Sequence, residues 1–243
     1  GASLNYIMTP GHTLRVSVSE ATRNPIAIEQ MADQHFEAGP VFEQVLLSNG
    51  NLAPERIRSV DFGYVGEFLT PELWLDTRVF HGRIRDLIVF SNIPVAGDNF
   101  NGIAENFSNA GRANLTGGEL QLNYRPTPDT RLVVNYSYID INSAEVGTSA
   151  PFHNFSALAL HTLDNDVNLS AAFYFTSPMW GLDTATYIGA QRRLDLMLSA
   201  PFRTLSPDAR VSVTLQSVLG SYQDFKYVNR FEPAILLGLE THF

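Results

Sequence analysis

The chain has 243 residues, of which 44% are hydrophobic and 17% charged, and its formal net charge is −9. This negative balance argues against nucleic acid as a partner, because nucleic-acid binding needs clustered Lys and Arg. Cysteine is absent, which excludes thiolate chemistry and disulfides. No run of about 18 apolar residues is present, so a transmembrane helix is excluded, whereas strands with alternating side chains remain able to cross a membrane.

Apolar and polar residues alternate along most of the chain, beginning with Leu14, Val16 and Val18. Strict alternation predicts half-buried β-strands. The same period of two recurs at residues 60–64, 120–124, 132–138, 167–175, 194–198, 211–215 and 235–239. A short helix is expected only within residues 25–36, so the sequence predicts an all-β fold.

Short turn cues containing Pro, Asp, Asn or Gly separate these segments, and each residue type suits a tight turn. The cues lie at residues 9–11, 70–72, 127–129, 164–166 and 206–208. Each is expected to close a hairpin. The connections between hairpins are longer and are predicted at residues 21–55, 91–113, 142–152, 177–186 and 219–227. Five hairpins and a last strand from residue 229 give eleven strands.

Tight turns at one end and long connections at the other are typical of outer-membrane barrels. We therefore predict one domain over residues 1–243, an antiparallel up-and-down transmembrane β-barrel. About 10–12 strands are expected, as part of a larger barrel, because barrels of this class have an even strand number. At least one N-terminal strand is expected to be missing. A soluble β-sandwich would show the same alternation and stays open as an alternative.

The last strand ends in Phe243, which follows Ile235, Leu237 and Leu239 on the same face. This pattern resembles the C-terminal signature of outer-membrane proteins. The resemblance implies that the barrel-assembly machinery recognises these four residues as an assembly signal. It also implies outer-membrane lipid as the surroundings and the bacterial outer membrane as the location.

Three further segments resemble the C-terminal half of TonB-dependent receptors. They are residues 51–64, with NLAPER followed by SVDFGY, residues 79–88, with VFHGRIRDLI, and residues 117–138. The resemblance implies an energised outer-membrane receptor of 22 strands with a plug domain and a TonB box. This chain has neither segment and is too short for 22 strands, so contact with TonB is expected only through a missing N-terminal region.

Catalytic and metal-binding patterns are absent from the sequence. The six histidines are scattered without an HExxH pair, and no nucleophile-elbow motif is present. We therefore expect no enzyme, no catalytic residue, no metal site and no cofactor. Charges in or beside strands are expected to form an ion-pair ladder that lines the barrel. They are Arg83, Arg85, Asp86, Arg192, Arg193 and Asp195.

Aromatic side chains in the long connections are the candidates for ligand contact. They are Phe36, Phe100, Trp180 and Tyr222. Packing of each loop on itself explains these residues equally well. Three functions are consistent with the pattern: an outer-membrane uptake receptor, an export or anchoring barrel of a secretion or polysaccharide system, and a soluble β-sandwich binding module.

Overall fold

The computed structural model describes residues 1–39, 41–48, 50–69, 72–95, 102–143, 147–181, 186–223 and 229–241. These ranges hold seventeen strands and one short helix. The elements are β1 Ala2–Thr9, β2 His12–Arg23, α1 Ala27–Met31, β3 Asp33–Ala38, β4 Val41–Leu47, β5 Glu55–Leu69, β6 Glu72–Pro94, β7 Ile103–Thr127, β8 Thr130–Asn142, β9 His153–Thr162, β10 Asn168–Thr176, β11 Met179–Trp180, β12 Tyr187–Ile188, β13 Gln191–Pro201, β14 Arg210–Gln216, β15 Tyr222–Gln223, β16 Arg230–Phe231 and β17 Ala234–Glu240. The all-β prediction is confirmed.

Eleven strands form one continuous antiparallel path in the order β1-β2-β5-β6-β7-β8-β9-β10-β13-β14-β17. The number of strands and the up-and-down connectivity are those predicted. Within the described part of the chain, the edge strands β1 and β17 do not pair with each other, so the sheet is an open part of a barrel. The sandwich prediction is wrong, because a sandwich needs a second large sheet packed face to face on the first.

Short turns join the strands at one end of the sheet. The β1–β2 turn contains Gly11 at φ +82°, a left-handed conformation that glycine adopts without a Cβ penalty. The β7–β8 turn has only the two residues 128–129 between its strands. The cue at 206–208 lies in a longer connection, residues 202–209, which is closed by a 2.7 Å bond from the Phe202 amide to the Ala209 carbonyl. The cue at 70–71 lies outside the described residues.

Longer connections lie at the opposite end and contain small elements of their own. The helix α1 and the β3–β4 hairpin lie between β2 and β5, β11 and β12 between β10 and β13, and β15 and β16 between β14 and β17. The short helix expected within residues 25–36 is α1. The predicted sorting of short and long connections to opposite ends of the sheet is thus confirmed.

The prediction of an irregular connection over residues 91–113 is wrong. β6 and β7 have 23 and 25 residues and stay paired as far as Pro94 and Ile103. Since about 9–11 residues suffice to cross a bilayer, this hairpin projects far beyond the membrane. Register shifts between Ile84 and Val89, with Asp86 at φ 58°, break the alternation that the sequence analysis relied on.

The sheet has two chemically different faces. Cross-strand register places Val16, Phe62 and Val79 side by side on the apolar face, and Arg15 in line with Arg78 on the polar face. The exposed fractions of Val16, Phe62 and Val79 are 41%, 49% and 58%, so the described part of the chain leaves this face largely uncovered. An apolar surface of this extent marks contact with a membrane or with another protein.

We call the rows of apolar side chains on this face the apolar band. The band comprises Leu14, Val16 and Val18 on β2; Val60, Phe62 and Tyr64 on β5; Val79 on β6; Leu120 on β7; Tyr136 and Tyr138 on β8; Ala157 on β9; Phe173 on β10; Leu194, Leu196 and Leu198 on β13; Val211, Val213 and Leu215 on β14; and Ile235, Leu237 and Leu239 on β17.

Candidate functional site

A groove of about 580 Å³ lies on the polar face and is lined by residues of β2 and of the five neighbouring strands β6 to β10. Two ion pairs line it. Arg15 lies 3.4 Å from Asp76, and the Arg78 guanidinium donates hydrogen bonds of 2.8 and 3.0 Å to Glu119. These charges neutralise each other and remain open to solvent, so they stabilise the sheet only modestly. The groove therefore offers a polar wall to whatever fills the barrel.

The long-connection end is organised first by a cluster around Arg23, the last residue of β2. Its guanidinium donates to both carboxylate oxygens of Glu55 at 2.6 and 2.7 Å, and to Glu29 of α1 at 3.0 Å. The Ile88 amide donates a further 2.8 Å bond to Glu55. Glu55 is five residues before Val60, where the apolar band begins on β5, and so lies outside the membrane-spanning part. Hydrogen bonds from Arg23 hold the pKa of Glu55 below its ordinary value.

The β3–β4 hairpin packs beside the projecting part of β7. Its buried Gln44 side chain donates to Asp33 at 2.8 Å and to the Gln34 and Leu46 carbonyls at 3.0 Å each. Leu46, itself buried, forms a parallel bridge with Glu105 of β7. This connection is therefore folded against the long hairpin.

A second cluster lies where β13 meets β15. The Arg193 guanidinium donates to Asp195 at 2.9 Å and to the Tyr222 hydroxyl at 3.1 Å. It also lies 5.6 Å from the ring centre of Tyr174 and 5.7 Å from that of Tyr222. Tyr222 in turn stacks on Phe231 with ring centres 5.1 Å apart. The cluster thus ties the last long connection to the barrel wall and presents an aromatic surface beside a cation.

The predicted ligand-contact residues lie at this end of the sheet. Phe36 on β3 is 58% exposed, and Trp180 on β11 is 40% exposed and meets Tyr187 edge to face at 5.5 Å. Phe100 lies outside the described residues. No ring contact joins Phe36, Trp180 and Tyr222 to one another in the ranges that the structure describes. Sequence analysis missed Tyr187 and Phe231, although both are aromatics within the same connections as Trp180 and Tyr222.

The expected ion-pair ladder is confirmed for Arg193 and Asp195. It is wrong for Arg83, Arg85, Asp86 and Arg192, none of which forms an ion pair within the described residues. The arginines differ in the face of the sheet that they occupy, because successive side chains of a strand point to opposite faces. Arg83 and Arg85 lie opposite Arg58 and Arg56 on the apolar face, where none of the described carboxylates pairs with Arg83 or Arg85. Arg193 lies on the polar face, in the row of Tyr174.

Three of the four residues of the predicted assembly signal lie on the edge strand β17. Ile235, Leu237 and Leu239 are 71%, 79% and 61% exposed. They lie opposite Leu215, Val213 and Val211 of β14, which places them on the apolar face. Phe243 lies outside the described residues.

Among the described residues, no set of three or more His, Cys, Asp and Glu side chains is placed to hold a metal ion. In the same ranges, no helix has the length and apolar character needed to cross a membrane.

Solved structures with this fold include receptors for siderophores. The ferric-catecholate import receptor Fiu of E. coli K12 superposes with a TM-score of 0.70 at 15% identity over 99% of this chain. The pyoverdine receptor FpvA of Pseudomonas aeruginosa PAO1 gives 0.72 at 13% identity over 97% of it. The siderophore receptor PiuA of Acinetobacter baumannii gives 0.69 at 14% identity over 98% of it. The chain spans about a third of each structure, 34% in all three cases.

No curated protein sequence matches the chain significantly. A family model does, and it describes the β-barrel of TonB-dependent receptor-like proteins over residues 1–218. This match covers most of the chain and agrees with the antiparallel sheet, the exposed apolar band and the sorted connections. Proteins of this family reside in the outer membrane of Gram-negative bacteria. The chain belongs to the TonB-dependent receptor-like β-barrel family.

Proposed function

We propose that this chain forms part of the wall of an outer-membrane uptake receptor whose long connections contact the ligand. The observation that carries the proposal is the presence of two pairs of aromatic rings at the long-connection end, Tyr222 with Phe231 and Trp180 with Tyr187. Structures with this fold include a ferric-catecholate import receptor and a pyoverdine receptor, so ferric siderophores are the first ligands to test.

The proposed partners follow from the same role. TonB supplies energy through another part of the receptor, outer-membrane lipid surrounds the apolar band, and the barrel-assembly machinery inserts the chain. We propose no catalytic role, because the charged pairs on the polar face are mutually neutralised rather than poised for proton transfer. An export or anchoring barrel is the weaker alternative, since the family match describes receptors.

The full-length receptor that carries this chain provides the test. Cells that depend on it should take up a ferric siderophore only when TonB is present. The double variant Trp180→Ala and Tyr222→Ala should lower uptake at least tenfold while leaving the amount of receptor in the membrane unchanged. Phe202→Ala is the matched control, because Phe202 is a 43% exposed aromatic residue in the connection at the opposite end.

Uptake that continues at the normal rate without TonB would refute an energised receptor. An equal loss in the Phe202 variant and in the double variant would instead show that the aromatics act through general stability. If the double variant transports normally, the long connections contact the ligand elsewhere or not at all, and the assignment of Trp180 and Tyr222 is wrong.

A further inference from the structure

An arginine cluster lies on the apolar face, directly beyond the apolar band on the side of the long connections. In the β5–β6 register, Val60 is opposite His81. The next row on this face is Arg58 opposite Arg83, and the row after it is Arg56 opposite Arg85. Arg112 of β7 extends the cluster. Its neighbour Ala113 is buried and pairs with Ile84 of β6, so Arg112 points to the opposite face, where it is exposed.

We call these five residues, Arg56, Arg58, Arg83, Arg85 and Arg112, the arginine patch. They account for five of the 16 basic residues in a chain whose net charge is −9. All five side chains are exposed. The position matters as much as the number, because this is the outer wall of the barrel and not the polar face that carries the groove.

Most of this charge is uncompensated. Arg58 donates a 2.6 Å hydrogen bond to Glu20 on β2. In the described ranges, no carboxylate lies within ion-pair distance of the other four arginines. Moreover, Arg58 faces Arg83 and Arg56 faces Arg85 directly across the strands. Like charges in directly opposed cross-strand positions destabilise a sheet. The arrangement is therefore unfavourable unless an anion lies between the two arginines of each row.

The height of the patch indicates which anion is present. Successive residues on one face are about 6.7 Å apart along a strand. The two arginine rows are therefore about 7 and 13 Å beyond Val60 along the strand. At a strand tilt of about 40° they lie about 5 and 10 Å above it, at the level of lipid headgroups. Long connections of such barrels face the outside of the cell, so this is the outer leaflet. Arginine is suited to the position, since its apolar stem lies along hydrocarbon while its planar guanidinium binds phosphate bidentately.

We propose that the arginine patch binds the phosphorylated sugar headgroup of an outer-leaflet glycolipid. The opposed pairs act as two clamps, each with guanidinium groups from neighbouring strands on the same phosphate. The site depends only on the membrane location of the barrel and is independent of any transported ligand. The lipid surroundings proposed above require only an apolar wall, whereas this site selects a headgroup chemistry.

The test uses the full-length protein in a neutral, phosphate-free detergent. Binding of bisphosphorylated lipid A is titrated and compared with dephosphorylated lipid A and with inorganic phosphate. The double variant Arg56→Gln and Arg85→Gln removes one opposed row and breaks no ion pair. We expect at least tenfold weaker binding of the phosphorylated lipid and little change for the dephosphorylated lipid. Inorganic phosphate alone should compete only at millimolar concentration or above.

Arg125→Gln with Arg131→Gln is the matched control, because it removes two exposed arginines at the short-turn end. This control should bind the phosphorylated lipid within twofold of the unaltered protein. Equal binding by the two double variants would overturn the proposal. Inorganic phosphate binding as tightly as the lipid would overturn the assignment to a glycolipid.

A stability measurement separates binding from a structural role. Without lipid, the Arg56→Gln and Arg85→Gln variant should melt at the same temperature as the unaltered protein or higher, because an opposed like-charge pair is gone. Phosphorylated lipid should then raise the melting temperature of the unaltered protein and not that of the variant. If the double variant does not fold, Arg83→Gln alone must weaken lipid binding at least threefold, and unchanged binding would overturn the proposal.

Discussion

Arg23, the last residue of β2, donates two hydrogen bonds of 2.6 and 2.7 Å to Glu55, the first residue of β5. Arg23 also binds Glu29, so the same guanidinium fixes α1 to the rim of the barrel. One arginine therefore connects the wall to the first long connection. This contact is where the stability of that connection can be tested.

Glu55→Gln should loosen the first long connection without unfolding the barrel. It removes the charge of the bidentate pair, and because Arg23 is 44% exposed the loss is about 1 kcal/mol. Amide hydrogen exchange in α1 and β3 should then be about fivefold faster, while exchange in β9 and β10 stays the same. Glu20→Gln is the control, since Glu20 pairs with Arg58 outside this cluster. Equal acceleration in both variants would argue against the anchoring role of Glu55.

The same contact predicts a pH dependence. The pKa of Glu55 is lowered from 4.5 in the folded protein, mainly by the hydrogen bonds from Arg23. A lowered pKa contributes stability that is complete above the ordinary value and is lost as the pH falls through the lowered one. The protection of the α1 amides from hydrogen exchange is obtained by dividing out the pH dependence of exchange in an unfolded chain. It should be constant from pH 7 to 5 and fall only below about pH 4.5. A fall near pH 6 would assign the effect to another group.

The adjacent glycines of β7 should differ sharply in their tolerance of alanine. A Cβ at Gly117 would collide with the Tyr138 carbonyl and lie 2.5 Å from the Phe80 ring, whereas at Gly118 the nearest atom would be 3.4 Å away. Gly117→Ala should therefore cost about 1–3 kcal/mol through overpacking, while Gly118→Ala should cost under about 1 kcal/mol. Urea unfolding in detergent measures both. Similar losses would mean that the ring of Phe80 moves away at little cost.

The two faces of the sheet can be distinguished by cysteine labelling, since the chain has no cysteine of its own. Leu196→Cys and Leu237→Cys lie in the apolar band and should react with a membrane-soluble maleimide but resist a charged one. Asp61→Cys and Gln121→Cys lie on the polar face and should react with the charged reagent. The expected ratio between faces is tenfold or more. The same ratio at all four positions would contradict the face assignment.

The sequence predicted the strands of the sheet well because one face of each strand is apolar and the other polar. Leu194, Leu196 and Leu198 alternate without interruption, and β13 follows them as expected. Alternation of apolar and polar residues did not predict the strands that lie above the membrane. In the projecting part of β6 and β7 both faces meet water or small packed elements, so no selection for alternation remains, and the bulge at Asp86 shifts the parity.

The candidate site was predicted only in part, and the reason is again geometric. Aromatics in long connections could be named from the sequence, but their partners depend on how the small β11–β12 and β15–β16 sheets fold back. The stacking of Tyr222 on Phe231 joins residues nine positions apart across such a sheet. The arginine rows depend on the register between β5 and β6, which pairs Arg56 with Arg85 and cannot be obtained from either strand alone.

Phe243 is expected to act as an assembly signal rather than as a packing residue. The burial of one apolar side chain contributes roughly 1.5–3 kcal/mol at most. A sheet of eleven paired strands should tolerate that loss once it is folded. Machinery that recognises the last strand, in contrast, would act before the sheet has formed.

Phe243→Ala should therefore reduce insertion into the outer membrane of cells at least tenfold and reduce refolding of the purified protein into detergent micelles less than twofold. Val213→Ala is the control, because Val213 lies on the apolar face of β14 opposite Leu237 but not on the last strand. It should lower both yields slightly and equally. Both are measured as the fraction of protein that migrates as a folded barrel on an unheated gel. If Phe243→Ala also lowers both yields equally, the residue matters only for stability and is not an assembly signal.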